Sequence, residues 1–451
     1  MEFSWSVEQR QGHEQARQFA ERDLGAPPAA SAAGAAWRER WQKCAAFGVQ
    51  GLNIPEAYGG LGLSTRAAVH VLEGLGRGTS DNGLLMALGA QAWSVVAPLV
   101  HFGTEAQKQL WLPPLAAGAA VGAFALSETE SGSDAFRLHT RAQADRGGYR
   151  LQGTKAFVTN APVADLFLVF AVTNPQAGYF GVSAFLVRRE IEGLSVGPPL
   201  AKMGLESSPM AEVHLDGAWV PREAVLGAEG GGGAILQHTL EWERGCLLAP
   251  ALGTMARLLE QTTAHCRARK QFGRPIVEFE AVAMLLAEMR LRLEIARLLI
   301  YEFAWLKDED RPAAVEASMT KLYLSESLCR SCELAVHLHG ASGYTRDHEY
   351  ERDWRDAMAS SIYSGTTEMQ HNLIAESLLR APHSEPPPPP ARPVEAAWKR
   401  HEQSGRPLPP IEARPQATSG SDPAKSGEPP LFGGALEAQA SQASQASKEG
   451  R

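Results

Sequence analysis

Apolar and polar residues in the first 120 positions recur with the period of an α-helix. This spacing predicts helices over residues 8–21, 36–47 and 65–77. Thr104 follows a loop and precedes another stretch of helical pattern, which predicts an N-cap and a further helix. We therefore expect residues 1–120 to form an N-terminal helical domain.

The pattern changes after residue 120. Short apolar runs at residues 155–159, 165–172, 182–187 and 212–215 are separated by turns that contain glycine or proline. Runs of this length and spacing predict β-strands. We expect residues 121–232 to form a middle β domain, either a small sandwich or a barrel.

Helical patterning returns in the region 233–380. Residues 279–306 are apolar over much of a helix circumference, which predicts a helix buried within a bundle. A second long helix is predicted over residues 315–338, opened by Pro312 and ended by Gly340. The three regions together predict an α+β fold.

The last 71 residues differ in composition from the rest of the chain. Residues 386–390 are five consecutive prolines, and serine, alanine, glutamine and glycine dominate the positions after them. Such a segment buries too little apolar surface to offset the entropy lost on ordering. We expect residues 381–451 to be a disordered tail.

Charge and hydropathy narrow the possible classes of function. Of 451 residues, 44% are hydrophobic and 21% are charged, as in soluble globular proteins. The net charge of -8 argues against a nucleic-acid partner. No long uninterrupted apolar run and no apolar N-terminal leader are visible, so we predict no membrane span and a cytoplasmic location.

The cysteines do not suggest a disulfide framework or a metal site. The chain has five, an odd and small number for its length, which fits a reducing compartment. Cys329 and Cys332 have the spacing of a metal-binding pair, but no second pair exists and both fall in the helix predicted over residues 315–338. We interpret them as helix-packing residues and predict no metal.

Several separated segments carry recognisable motifs. They include Phe-Ala-Leu-Ser-Glu-Thr-Glu-Ser-Gly-Ser-Asp at 124–134, Gly-Thr-Lys-Ala-Phe-Val-Thr-Asn at 153–160, Arg-Lys-Gln-Phe-Gly-Arg-Pro at 269–275 and Ser-Ile-Tyr-Ser-Gly-Thr-Thr-Glu-Met-Gln at 361–370. In this order and spacing they resemble the motifs of the acyl-CoA dehydrogenase family. The resemblance covers roughly residues 1–380. It implies the family's fold: an N-terminal helical domain, a middle β-barrel or sandwich and a C-terminal four-helix bundle.

The resemblance also implies that FAD is the cofactor. Leu126 and Ser127 match residues that bond the edge of the isoalloxazine ring, where donors stabilise the charge of the reduced flavin. Phe157 and Thr159 match residues beside that ring. Ser133 matches a residue at the pyrophosphate and is assigned to the substrate site as well.

A second set of residues is implied in contact with FAD, part of it from another subunit. In the family a neighbouring subunit lends residues that match Arg269, Gln271 and Phe272, and the arginine fork suits a pyrophosphate. We therefore expect a homo-oligomer, a tetramer or a dimer. The remaining matches are Thr366 and Glu368 at the ribose and adenine, and His337 and Gly340, where the family usually has Gln and Gly.

The residue at the family's usual base position is replaced. Most members carry Glu where this chain has Ser364, and a serine hydroxyl cannot accept the α-proton and hold it between turnovers. The isovaleryl-CoA and long-chain members place the base on a helix just before an arginine, and Glu243 with Arg244 resembles that arrangement. The resemblance thus implies Glu243 as the base. Arg244, Tyr363 and the backbone N–H of Ser364 are expected at the substrate.

The implied activity is FAD-dependent α,β-dehydrogenation of an acyl thioester. Glu243 would take the α-proton while flavin N5 takes the β-hydrogen as hydride. The carrier of the acyl group is either coenzyme A or a carrier protein, and the motifs do not decide between them. The electron acceptor would be electron-transfer flavoprotein or oxygen. Two alternatives stay open: an oxygen-activating flavoenzyme of the same superfamily, and a flavin-binding scaffold that has lost its base.

Overall fold

The computed structural model describes residues 4–27 and 33–379, so the predicted tail lies outside the described residues. The first part of the chain is helical, as predicted. Ser6 and Thr104 begin two of its helices with capping boxes, in which serine or threonine and a glutamine three residues later bond each other's backbone N–H. The helices are α1 (Val7–Phe19), α2 (Ala33–Phe47), α3 (Thr65–Gly78), α4 (Asn82–Gln91), α5 (Ala97–Phe102) and α6 (Glu105–Ala116).

α4 and α5 form one continuous helix, joined by a π-helical turn over Ala92–Val96. The pattern-based prediction does not include this helix. Residues Asn82–Phe102 are apolar enough and long enough to cross a membrane, but 83% of the most apolar stretch is buried inside the molecule. Burial of this kind is what a core helix of a globular protein shows, and the absence of a membrane span stays a prediction.

The middle of the chain forms one eight-stranded sheet in the order β6-β7-β3-β2-β4-β5-β8, with β1 paired in parallel to β4. The strands predicted from the apolar runs correspond to parts of β3, β4, β5 and β7. The strands are β1 (Gly122–Ala125), β2 (Arg141–Asp145), β3 (Gly148–Thr159), β4 (Leu166–Val172), β5 (Val182–Arg188), β6 (Leu194–Val196), β7 (Met210–Pro221) and β8 (Val225–Leu226).

The sheet curls so that its two halves face each other. Tyr149 on β3 contacts Phe185 on β5 edge to face, with 5.2 Å between ring centroids. Apolar side chains of β1 to β5 and β7 fill the space between the halves in one buried cluster. Every residue of β4 is buried, because one face points into this cluster and the other packs against the helices. This is the barrel-like or sandwich-like packing that the sequence predicted.

The C-terminal part returns to helices. The two long predicted helices correspond to α9 and α10, and α10 carries Cys329 and Cys332 as free thiols, in agreement with their interpretation as packing residues. The elements are α7 (Gly232–Cys246), α8 (Ala249–Ala268), a short hairpin of β9 (Lys270–Gln271) and β10 (Arg274–Pro275), α9 (Glu280–Asp308), α10 (Ala314–His339), α11 (Ala341–Tyr344), α12 (Tyr350–Met358) and α13 (Thr367–Leu379).

α7 lies unusually close to α9 at Gly245. A Cβ atom at that position would stand 2.1 Å from the ring of Phe303, so only glycine allows the contact. Gly245 is two residues beyond Glu243, and this close packing therefore fixes the helix that carries the candidate base.

We expect Gly245→Ala to lower the melting temperature, because an added methyl group overpacks the interface at a cost of about 1–3 kcal/mol. Thermal unfolding followed by circular dichroism measures the change. Gly34→Ala on α2 is the matched control, since a Cβ there meets nothing within 4 Å and alanine favours a helix. Equal melting temperatures for Gly245→Ala and the wild type would contradict the close packing.

Candidate active site

A buried ion pair holds the segment that follows β1. Lys155 on β3 donates to Glu128 (2.7 Å) and to the carbonyl oxygen of Leu126 (2.9 Å). Glu128 also accepts bonds from the backbone N–H groups of His139 and Thr140 and from the Thr140 hydroxyl. These hydrogen bonds together fix the loop that contains Ser127 and Ser133. The sequence analysis did not single out this pair.

The ion pair is charged at neutral pH. Burial raises the pKa of Glu128, but Lys155 and the hydrogen-bond donors outweigh burial and lower it to about 2. Burial lowers the pKa of Lys155 to about 8, with Glu128 opposing the shift. Both groups are almost wholly buried, so each depends on the other for a partner.

Next to this loop, β3 presents an aromatic ring to the outside. The pairing of β3 with β7 shifts register between Lys155 and Val158, and Phe157 lies in that bulge with φ of +56°. Its side chain is 63% exposed although its neighbours are buried. The bulge thus turns the ring out of the sheet, as bulges near functional sites often do.

The residues around Phe157 fit a flavin. The N–H of Ala156 donates to the carbonyl of Ser127 (2.8 Å), which brings the two flavin motifs side by side. Among the described residues, no protein group bonds the hydroxyl of Ser127 or that of Thr159. These two hydroxyls and the exposed aromatic face would fit the edge and the face of an isoalloxazine ring. Ser133, also exposed, lies on the same loop.

The candidate base lies in a buried pocket between three chain segments. Glu243 on α7 is 7% exposed. The hydroxyl of Ser94, in the π-helical turn, donates a short hydrogen bond to its Oε1. The hydroxyl of Ser364 donates to its Oε2 at 2.8 Å. Each carboxylate oxygen therefore has one hydroxyl donor.

Burial raises the pKa of Glu243 above the usual value of a carboxyl. The hydrogen bonds from Ser94 and Ser364 and the charge of Arg244 act in the opposite direction, and burial outweighs them. A carboxylate whose pKa moves toward neutrality can both take and release a proton during turnover. This environment fits the general-base role that the sequence analysis predicts for Glu243.

Ser364 contributes more than the resemblance implied. Its φ of +57° is in the left-handed region, and its carbonyl accepts bonds from Arg244 Nε (3.1 Å) and Gln370 Nε2 (3.2 Å). No protein acceptor engages the Ser364 N–H within the part of the chain that the structure describes, which leaves that donor for a ligand. The expectation that only the backbone acts at this position is incomplete, because the hydroxyl bonds Glu243.

Aromatic side chains and a small cavity line the same region. Trp93 stacks on Trp242 with ring planes 3° apart and centroids 5.6 Å apart. Tyr363 lines a cavity of about 50 Å³ together with Met86 and Leu247, one helical turn beyond Glu243. The cavity holds only a few water-sized groups. Tyr363 thus lies beside this cavity, and the substrate contacts expected for Tyr363 and Arg244 stay predictions.

Most of the second set of predicted FAD residues lies on the surface. The hairpin of β9 and β10 carries Arg269, Gln271 and Phe272, and the Phe272 side chain is 93% exposed. His337 and Gly340 are exposed at the end of α10, near the end of α8, where His265 contacts His339. Among the described residues, no hydrogen bond or ring contact joins these groups to the flavin motifs. Thr366 and Glu368 open α13, just beyond Ser364.

Comparison with known proteins agrees with this architecture. Models of the N-terminal, middle and C-terminal domains of acyl-CoA dehydrogenase match residues 6–119, 123–218 and 230–379. The chain is 42% identical over 341 residues to L-prolyl-[peptidyl-carrier protein] dehydrogenase of Pseudomonas fluorescens, covering 75% of this chain and 90% of the relative.

Solved structures show the same similarity. The prolyl acyl carrier protein oxidase AnaB superposes with a TM-score of 0.79 at 42% identity, over 83% of this chain and 100% of that one. PigA with FAD and proline gives a TM-score of 0.80 at 35% identity, over 84% of this chain and 99% of the other.

The chain therefore belongs to the acyl-CoA dehydrogenase family. It is a FAD-dependent oxidoreductase that dehydrogenates a CH–CH bond of an acyl thioester.

We expect Lys155→Met to lower the melting temperature and the FAD content together, because it leaves Glu128 buried without a cation. Breaking a buried pair in this way costs about 3–5 kcal/mol. The ratio of flavin to protein absorbance after gel filtration and the thermal midpoint measure the two effects. Lys43→Met is the matched control, since its partner Glu39 is exposed and such pairs contribute under about 1 kcal/mol.

The pH dependence gives a further check on the same variant. Because the folded pKa of Glu128 is lowered, its contribution to stability is present above the unfolded pKa of about 4.3. It is lost as the pH falls toward about 2. The difference in stability between the wild type and Lys155→Met should therefore shrink in acid. A stability difference that does not depend on pH, or a variant with the stability and the FAD content of the wild type, would contradict the role of the pair.

Proposed function

We propose that Glu243 is the general base that removes the α-proton of the thioester. The observation that carries the proposal is the setting of this carboxyl: it is buried, it accepts a hydroxyl bond on each oxygen, and its pKa is raised. No carboxylate stands at position 364, and Glu241 on the same helix is engaged by Lys307 at 2.8 Å. Glu243 is then the carboxylate available at the substrate.

The thioester carbonyl would lie against the N–H of Ser364. That donor is unengaged by the described protein, and the left-handed backbone at Ser364 is held by the bonds that its carbonyl accepts from Arg244 and Gln370. A donor aimed at the carbonyl oxygen stabilises the negative charge that develops as the α-proton leaves. FAD, when bound, supplies the acceptor for the β-hydrogen as hydride.

We further propose that the substrate is a small aminoacyl group, prolyl, carried on a carrier protein. The cavity lined by Tyr363 and Leu247 has a volume of about 50 Å³, in which a five-membered ring or a short chain fits. Relatives named as dehydrogenases or oxidases of prolyl carrier-protein thioesters are among the most similar proteins, and they support the carrier protein over coenzyme A.

The assembly and the cellular setting are part of the proposal. Met284, Leu291 and Leu298 form an exposed apolar line at seven-residue spacing along α9, which is the kind of surface that subunits bury. The exposed hairpin with Arg269 and Phe272 would then reach a neighbour's FAD in a homotetramer. Electron-transfer flavoprotein or oxygen would reoxidise the flavin in the cytoplasm.

Anaerobic mixing of the FAD enzyme with a panel of thioesters tests the activity. The panel contains L-prolyl and short straight-chain acyl groups, each on coenzyme A and on a carrier protein, and flavin bleaching is followed by stopped flow. We expect the prolyl carrier protein to bleach the flavin fastest. Faster bleaching by an acyl-CoA would contradict the carrier, and no bleaching by any thioester would favour the scaffold alternative.

Glu243→Gln should slow flavin reduction by the best substrate by about 10²–10⁴-fold while FAD stays bound, because the amide keeps the shape and removes the proton acceptor. Glu241→Gln is the matched control on the same helix, about 200° around its axis, and should reduce flavin at nearly the wild-type rate. A Glu243→Gln enzyme with the wild-type rate would place the base elsewhere.

Arg269→Ala should weaken FAD binding and shift the oligomer distribution toward smaller species, since this exposed arginine is proposed to bond a neighbour's pyrophosphate. Light scattering coupled to gel filtration gives the mass, and flavin absorbance gives the occupancy. Arg267→Ala, on the same surface but outside the assigned set, serves as the comparison. A monomeric enzyme that still binds FAD tightly would contradict the shared site.

A further inference from the structure

The π-helical turn over Ala92–Val96 connects the base to the strand that leads to the flavin loop. Trp93 stacks on Trp242 of α7, and Ser94 donates to Glu243 of the same helix. Val95, the next residue, packs against Gly122 at the start of β1, where a Cβ would lie 3.0 Å from Val95 Cγ1. Three consecutive residues thus contact both sides of the site.

This arrangement depends on the extra residue of the π turn. An α-helix places neighbouring side chains about 100° apart, whereas a π turn widens the helix locally and changes the direction of the side chains beyond it. Such turns are frequent at functional sites. Here the turn occupies the middle of a long apolar helix and contains the one polar side chain, Ser94, that reaches Glu243.

We propose that Ser94 is a positioning residue for the general base, so that the π-helical turn sets where the Glu243 carboxylate stands relative to β1 and the flavin loop. The inference rests on the proposed function of Glu243. With Ser94 bonding Oε1 and Ser364 bonding Oε2, the carboxylate is held at both ends by donors from different elements. Each oxygen accepts one hydroxyl bond and keeps a second lone pair, so the carboxylate can accept the substrate's α-proton while it is held.

The bond of Ser94 also favours the ionised form of the base. Other titratable groups also lie near Glu243. They are Arg244 on its own helix, Tyr363 on the loop before α13 and, beyond Arg244, Lys321 on α10. The π turn offers no charged group to Glu243, only this hydroxyl. Removing it leaves Oε1 buried without a donor, which disfavours the carboxylate.

Ser94→Ala should therefore shift the acid limb of the pH profile of flavin reduction upward by about one unit, because one hydrogen bond to the charged form is lost. The limiting rate at high pH should fall about tenfold, since the carboxylate is less well oriented. Ser94→Thr keeps the hydroxyl and should restore both the limb and the rate. Ser327→Ala is the matched control and should leave both unchanged, because the Ser327 hydroxyl is buried on α10 and has no hydrogen-bond partner among the described residues.

A second measurement reads the carboxyl without turnover. In the resting FAD enzyme, the infrared carbonyl band of protonated Glu243, assigned by its loss in Glu243→Gln, can be titrated against pH. In Ser94→Ala the midpoint should rise by about the same one unit. This readout separates the two proposals: a shifted titration in an enzyme that no thioester reduces would sink the proposed activity and leave the role of Ser94 standing.

Several results would overturn the positioning role. One such result is that Ser94→Ala lowers the rate but changes neither the acid limb of the pH profile nor the midpoint of the infrared titration. Another is a Ser94→Thr enzyme as impaired as Ser94→Ala, which would assign the effect to packing of the π turn. If Ser94→Ala does not fold with FAD, Ser94→Thr and Ser94→Cys replace it in the test. The cysteine thiol is a much weaker donor, so an acid limb at the wild-type pH in Ser94→Cys would count against the proposal.

Discussion

A carboxyl group that must be buried and still ionise is the constraint on which the site depends. Burial raises the pKa of Glu243, and the exclusion of water that comes with burial obliges the protein to supply other partners for the carboxyl. It supplies two hydroxyls, from positions 94 and 364, and an arginine next along the helix. Three segments separated by more than 100 residues each must therefore converge to within hydrogen-bond distance.

Much of the fold serves this convergence. Gly245 brings α7 against α9, and Arg244 ties α7 to the loop at Ser364. On the other side, the side chain of Gln91 accepts from the N–H of Gly122, which fixes the long apolar helix to β1. Lys155 and Glu128 then hold the loop after β1. Each contact is local, but together they connect the base and the flavin motifs through continuous packed elements.

The sequence predicted the elements and the class better than the connections between them. Continuous apolar runs mark β4 and β5, whose residues are nearly all buried, and helical patterning marks α9 and α10. The resemblance to a helix-borne base predicts the role of Glu243. Ser94 carries no such signal, since a lone serine in an apolar helix is common and only the π turn aims it at Glu243. Lys155 and Glu128 lie within quoted motifs, but no pattern along the chain says that they pair. For the hairpin with Phe272, the sequence predicts a role that the single chain does not show. The hairpin is exposed in one chain, and its predicted contact with FAD needs a neighbouring subunit.

The hydrogen bond between Ser364 and Glu243 bears on how the position of the base can change as such enzymes diverge. The two positions where the family carries its base face each other across one bond of 2.8 Å, so an acid can change segment with little displacement of its negative charge. A lineage that makes this exchange must pass through one of two ancestors. Either both positions hold carboxyls, and the pair shares a proton because like charges that close do not both ionise, or neither does and activity is lost for a time. Selection for continuous activity favours the first route.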